Sequence, residues 1–168
     1  LVSTRPGIGR VFHLNVEKPP TDNLNVRRAL IHAVDAETIC QAVFQGLYPT
    51  GHQIFSRKSR HYNEKVADMY PYNPEKAREL LEQEGWVDDD GDGIREKDGK
   101  DLVVDFVSFP GYVAEKPAEM MQAMLRQVGV KFTIKVVSGS AMMQKCAAVD
   151  SEYHSCICGS YSASTARL

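Results

Sequence analysis

The sequence predicts an α/β fold in which helices cover a mostly parallel sheet, and three observations predict it. Residues 102–137 read as strand, helix and strand in succession; a strongly signalled helix opens at Asn73-Pro74; and a further helix over 141–149 leads into a third strand over 153–159. Strands alternating with helical patterns of this length are the mark of parallel crossover units.

In chain order, residues 11–16 alternate well enough to form a strand, and Lys18-Pro19-Pro20 breaks it. Asp22 or Asn23 can then cap a helix over 25–34, whose apolar stripe is Val26, Leu30, Ala33 and Val34. Asp35 caps a second short helix that carries Ile39, Ala42, Val43 and Phe44 toward Gly46. Residues 47–72 are aperiodic and rich in Pro, Gly, His, Ser, Arg and Tyr, which predicts a long ordered loop. At Asn73 the side-chain oxygen can cap a helix while Pro74 sits where a missing N–H costs nothing. Ala77, Leu80 and Leu81 fall on one face of that helix, Gly85 is placed to end it in a left-handed conformation, and Trp86 packs just past the stop. An Asp-rich loop over 88–99 follows. Residues 102–109 then read as a buried strand, 114–128 as a helix striped by Ala118, Met121, Met124, Leu125 and Val128 and stopped at Gly129, and 130–137 as a parallel partner strand.

A chain of 168 residues with 43% hydrophobic content can bury one real core, and no linker, repeat or low-complexity tract divides it. Its net charge of −2 hides a local asymmetry: residues 66–102 hold twelve acids against five bases, and residues 1–65 hold five acids against nine bases. No continuous basic stripe with interleaved aromatics is present, so nucleic-acid binding has no support. No apolar run reaches membrane-spanning length, and the opening Leu1-Val2-Ser3-Thr4-Arg5-Pro6 lacks signal-peptide anatomy, so the chain is expected to be either cytosolic or an excised piece, the latter preferred.

Two groups of residues suggest metals. Asp88, Asp90, Asp92 and Gly93 match the D-x-D-x-D-G opening of an oxygen cage for calcium. The twelfth position is Gly99 where an EF-hand has Glu, so Glu96 or Asp98 would close the loop, with the Ile94 carbonyl as a further ligand. The competing reading is a solvated turn. His154, Cys156 and Cys158 alternate along one strand, with Cys146 on the preceding helix; lacking a C-x2-C pair, they read better as a half-buried strand face and small buried thiols than as a soft-metal site. Catalytic signatures such as G-x-S-x-G, HExxH and the P-loop are absent, and Asp35 near His32 reads as a cap beside a surface imidazole. No enzyme and no required cofactor is expected.

In open α/β sheets ligands lie at the carboxyl ends of the strands. That rule points to the turns Pro110-Gly111-Tyr112, Ser138-Gly139-Ser140 and Ser160-Tyr161-Ser162, and makes Tyr112, Ser138, Ser140, Ser160, Tyr161 and Ser162 the candidate ligand-binding residues. Tyr161 has the alternative of packing as a wall against a neighbouring loop.

Several motifs agree in order and spacing: Leu14-Asn15, Pro19-Pro20, Asn25-Val26-Arg27-Arg28-Ala29-Leu30, Ala33-Val34-Asp35, Gly46, the Pro74-Glu75-Lys76-Ala77 helix ending Gly85-Trp86, the run from Asp90 to Glu96, and Ala118-x-x-Met121-Gln122-x-x-Leu125-x-x-x-Gly129-Val130. Together they resemble the dipeptide-, oligopeptide- and nickel-binding proteins of ABC importers, solute-binding family 5. The resemblance implies one lobe, the second large one, of a two-lobed periplasmic-binding-protein-like fold (class II, cluster C), spanning residues 1–168. It further implies an extracytoplasmic protein, a peptide or nickel chelate as solute, permease subunits as partners, a missing lobe supplying half the cleft, and a signal or lipoprotein anchor at the missing N-terminus. In peptide-binding members an Asp holds the peptide amine; Ser164 stands at that position here, and Cys158 stands where some relatives have Arg. The alternative to transport is a calcium-stabilised interaction module.

Overall fold

The structure, a computed structural model, describes residues 10–47, 50–51, 62–67, 69–147 and 153–159. Its centre is a four-stranded sheet in the order β1-β6-β4-β5, formed by β1 (Arg10–Leu14), β4 (Val103–Ser108), β5 (Lys131–Val136) and β6 (Ser155–Gly159). β4 pairs in parallel with β5 on one side and with β6 on the other. The predicted crossover unit is therefore present, with α5 (Tyr112–Arg126) linking β4 to β5 and α6 (Gly139–Ala147) following β5. β1 departs from the parallel pattern: it runs antiparallel to β6, with His13 opposite Cys156. Nothing local in residues 10–14 sets that direction, because it depends on a partner at the other end of the chain.

Alternation along the strands sorts the sheet into two faces. Val104 and Phe106 are fully buried, and the ring of Phe106 stands 5.3 Å from Phe12 on one side and 5.2 Å from Phe132 on the other. This aromatic row draws on three strands, β1, β4 and β5, and reaches across β6 between the first two. Asp105 and Thr133, paired in register, lie on the opposite face and are joined by a 2.6 Å hydrogen bond from Thr133 Oγ1 to Asp105 Oδ1.

The helices form as their caps dictate. Asn23 accepts from the N–H groups of Asn25 and Val26 to open α1 (Leu24–His32), and Asp35 accepts from Thr38 to open α2 (Ala36–Phe44). The Thr38 hydroxyl and amide hold the Asp35 carboxyl below the usual Asp range. Asn73 accepts from Lys76 N at 2.8 Å to open α4 (Pro74–Gln83), as its sequence predicts. The loop predicted over 47–72 lies in good part outside the described residues, and its described part includes a short helix, α3 (Glu64–Ala67). α1 packs against α4, and α2 against α5. Val26, Ala29, Ala77 and Leu81 are almost completely buried and close the core on that side. A two-stranded ribbon, β2 (Glu96–Lys97) with β3 (Lys100–Asp101), interrupts the Asp-rich region before β4. No described helix is long and apolar enough to cross a membrane.

Candidate functional site

The three parallel strands place their carboxyl ends on one edge. β4 ends at Ser108 and the chain turns through Gly111 into α5; β5 ends at Val136 and turns through Ser138 into α6; β6 runs toward the same edge. Ser138 and Ser140 are exposed there, their hydroxyl oxygens 3.2 Å apart, and Ser138 Oγ accepts from Ala141 N at 3.3 Å. At the head of α5, Glu115 accepts from Gly111 N at 2.7 Å. Tyr112 is the first residue of α5, but its side chain lies outside the described residues, as do Ser160, Tyr161, Ser162 and Ser164 entirely. Of the six predicted ligand contacts the structure thus brings Ser138 and Ser140 together at the expected edge.

The Asp-rich loop gathers the four acids predicted from spacing. Asp88, Asp90, Asp92 and Glu96 each offer a carboxylate oxygen, and these atoms lie within 4.8 Å of one another. The loop is shaped by its own side chains: Asp88 accepts from Gly91 N at 2.9 Å and Gly93 N at 3.1 Å, Asp90 from Asp92 N at 3.0 Å, Asp92 from Ile94 N at 2.7 Å, and Glu96 from Asp89 N at 2.9 Å. Asx turns of this kind also suit a solvated loop. Four carboxylates at such separations repel one another, which a divalent cation would reverse.

Just after this loop stands Arg95, which sequence reasoning passed over. It is buried, and its guanidinium donates to the carbonyl of Val128 at 3.0 Å, to that of Trp86 at 2.8 Å and to Glu82 at 2.9 Å. Its backbone N–H donates to Gly129 O at 2.8 Å. Both helices it touches end in the same way. In α4, Trp86 N reaches back to Leu81 O and Gly85 N to Glu82 O around Gly85 at φ 81°; after α5, Val130 N reaches Leu125 O and Gly129 N reaches Arg126 O around Gly129 at φ 85°. Arg95 thus fastens two helix ends into one unit. Around them lies an open cleft of about 410 Å³ lined by Arg78, Glu82, Arg95 and Arg126 among others. The cleft adjoins the amino end of β5, away from the edge at which the parallel strands end.

His154 replaces the suggested soft-metal ligand with a structural bridge. Its Nδ1 accepts from Asp105 N at 2.9 Å and its Nε2 lies 2.8 Å from Pro19 O, so neither ring nitrogen is available to a metal. Cys156 is buried and Cys40 half-buried, as thiols used for packing would be; the side chains of Cys146 and Cys158 lie outside the described residues. His32 and Asp35 form no dyad: Asp35 caps α2, and His32 Nδ1 meets Pro71 O at 2.7 Å.

An α/β lobe whose parallel strands end at one edge beside two helix starts is an architecture shared with solved solute-binding proteins. Among solved structures the fold is similar to that of NikA from Brucella suis in complex with Fe(III)-EDTA, with a TM-score of 0.84 and 27% identity over 95% of this chain and 32% of that one. It is also similar to the oligopeptide-binding protein AppA from Bacillus subtilis in complex with a nonapeptide, with a TM-score of 0.78 and 27% identity over 90% of this chain and 32% of that one.

The sequence profile of the bacterial extracellular solute-binding proteins, family 5 Middle, matches residues 2–165, and the chain belongs to this family. Curated relatives include the nickel-binding periplasmic protein of Escherichia coli (strain K12), 33% identical over 72% of this chain and 23% of the relative. The dipeptide-binding protein of the same organism is 31% identical over 86% of this chain and 25% of the relative. The chain therefore spans about a quarter of the length of these relatives.

Proposed function

We propose that residues 1–168 form one lobe of a solute-binding protein that serves an ABC importer, supplying one wall of a cleft whose other wall comes from a second lobe. The observation that carries this reading is the common edge at which β4, β5 and β6 end, with the exposed hydroxyls of Ser138 and Ser140 and the start of α5 beside it. Such an edge offers N–H groups and hydroxyls to a polar solute, and membership of a solute-binding family supports capture as its role. The solute class is a small peptide or a metal chelate, in keeping with what the relatives' names state they bind. In this reading the lobe works outside the cytoplasmic membrane and delivers its solute to a membrane permease, which membership of an extracellular solute-binding family supports.

Thermal unfolding of the two-lobed protein with dipeptides, oligopeptides and a nickel chelate tests the proposal. One of these raises the midpoint, and the isolated lobe responds little because half the contacts are gone. Tight saturable binding by the lobe alone contradicts the shared cleft, and peptide turnover contradicts a capture role.

We also propose calcium as a brace within the same lobe, held by Asp88, Asp90, Asp92 and Glu96 with the Ile94 carbonyl at the intervening position. The convergence of the four carboxylate oxygens within 4.8 Å supports it. The ion would stiffen the lobe without touching solute, because the loop adjoins the Arg95 cleft and not the carboxyl edge.

A further inference from the structure

Where β6 meets β4, a side chain takes over from the backbone ladder. Ser155 and Cys156 pair with Phe106 and Val107, but one position earlier the amide of Asp105 donates to the imidazole Nδ1 of His154 at 2.9 Å, while His154 N donates to Asp105 O at 3.0 Å. The other ring nitrogen, Nε2, donates to Pro19 O at 2.8 Å. Because Nδ1 accepts from a backbone N–H, the ring proton must sit on Nε2, and the two bonds together select one neutral tautomer. The residue is 6% exposed, and its own carbonyl accepts from Asn15 N at 2.8 Å. One imidazole therefore holds three pieces of chain together: the loop after β1, the middle of β4 and the start of β6.

A second acceptor stands ready for a charged ring. Asp105 Oδ2 lies 3.3 Å from Nδ1, and the other oxygen of that carboxylate accepts from Thr133. A proton added to Nδ1 sets two donors face to face across the present 2.9 Å contact and turns the ring toward the carboxylate. That movement gives up the Asp105 N–H bond, while Nε2–H goes on donating to the Pro19 carbonyl. We propose that His154 is a proton-operated latch: neutral, it accepts from the Asp105 amide and fastens the start of β6 to β4; protonated, it gives up that bond for the Asp105 carboxylate, and β6 loosens from β4.

The charged groups around the ring among the described residues are Asp105 on β4, Lys18 in the Pro19 loop, and Lys135 on β5, whose Nζ lies 5.5 Å from the centre of the adjacent Tyr153 ring; His13 on β1 sits opposite Cys156. Burial first, and then the charge of Lys18, push the His154 pKa below its ordinary value of 6.5 despite the opposing pull of Asp105. A histidine lowered in this way contributes stability that is fully present above 6.5 and is lost as the pH falls through its folded value. The latch is closed at neutral pH and opens in acid.

Nitrogen-detected NMR of the imidazoles in the full chain tests the inference. Near neutrality His154 should show the Nε2–H tautomer; on acidification it should become imidazolium with a midpoint below 6.5, and the amide signal of Asp105 should move with the same midpoint. His154→Asn keeps an acceptor near Nδ1 but takes up no proton, so the acid loss of thermal midpoint, about 3–5 °C for a tenfold change in the folding equilibrium, should vanish in it. If that variant does not fold, Asp105→Asn serves: removing the negative charge from the second acceptor should lower the His154 midpoint further. Titration at the ordinary value with a stationary Asp105 amide, an equal acid loss in wild type and His154→Asn, or an unchanged midpoint in Asp105→Asn would overturn the latch.

Discussion

Arg95 occupies the space into which a side chain on Gly129 would project: a Cβ built there falls 2.5 Å from Arg95 Cγ and 3.0 Å from Cδ. Gly129 also holds φ at 85°, so it answers two demands at once, a left-handed helix stop and a close approach. Gly129→Ala should therefore cost more than the usual helix-stop penalty. We expect a loss of about 2–4 kcal/mol, combining backbone strain of about 1 kcal/mol with displacement of a buried, hydrogen-bonded side chain. Urea unfolding with an unchanged slope measures it, and a loss within the error of wild type would show that Arg95 moves aside freely.

Removing the guanidinium while keeping the stem isolates its polar contribution. Arg95→Met leaves the Trp86 and Val128 carbonyls without the donor they share and should destabilise by about 2–4 kcal/mol, since each loses a charge-assisted bond in a buried setting. Arg95→Lys should rescue little, because an ammonium cannot span both carbonyls and Glu82 as the planar fork does. Equal stability of the Lys variant and wild type would refute the cross-brace.

For the acidic loop, Asp90→Asn separates cage from turn. Its oxygen still accepts from Asp92 N, but one charge is gone. In chelator the variant should match or slightly exceed wild type, because repulsion among the four acids falls; in calcium it should be the less stable of the two. Calorimetric titration should give saturable heat for wild type and weaker binding for the variant. Absence of both heat and thermal shift in wild type would leave the loop as a hydrogen-bonded turn.

The α4 start offers a smaller, local check. Asn73→Ala removes the acceptor for Lys76 N and should cost about 1 kcal/mol, whereas Asn73→Asp should retain most of the cap. Thermal denaturation ranks the three, and an alanine variant as stable as wild type would mean that Pro74 and packing suffice.

What could be read in advance follows the range over which each signal acts. Asn73, Asp35, Gly85 and Gly129 announce helix ends within a few residues, and the structure places stops and caps where they point. The acids of the loop are legible because their spacing alone brings them together, with Glu96 in place of the Gly99 position. Arg95 was not legible: its partners at Val128 and Gly129 lie more than thirty positions away, and an arginine amid acids looks like a surface charge. His154 is a similar case, for its partners Pro19 and Asp105 are distant in sequence while its alternation with cysteines suggests a metal. Of the candidate ligand residues, Ser138 and Ser140 stand at the carboxyl edge to which the rule for parallel strands points; the turn over 160–162 lies outside the described residues.

The antiparallel seat of β1 has a kinetic consequence. Its partner β6 lies about 140 residues downstream, as the bond from Ser155 Oγ to His13 O illustrates, so the first of the described strands to be synthesised is the last able to pair. Closing so long a loop is entropically slow, whereas β4, α5 and β5 are neighbours and can assemble first. Until β6 arrives, β1 is an unpaired strand carrying Phe12, and the edge of β4 that β6 will cover stays open. During synthesis, that interval is when this chain is most exposed to aggregation.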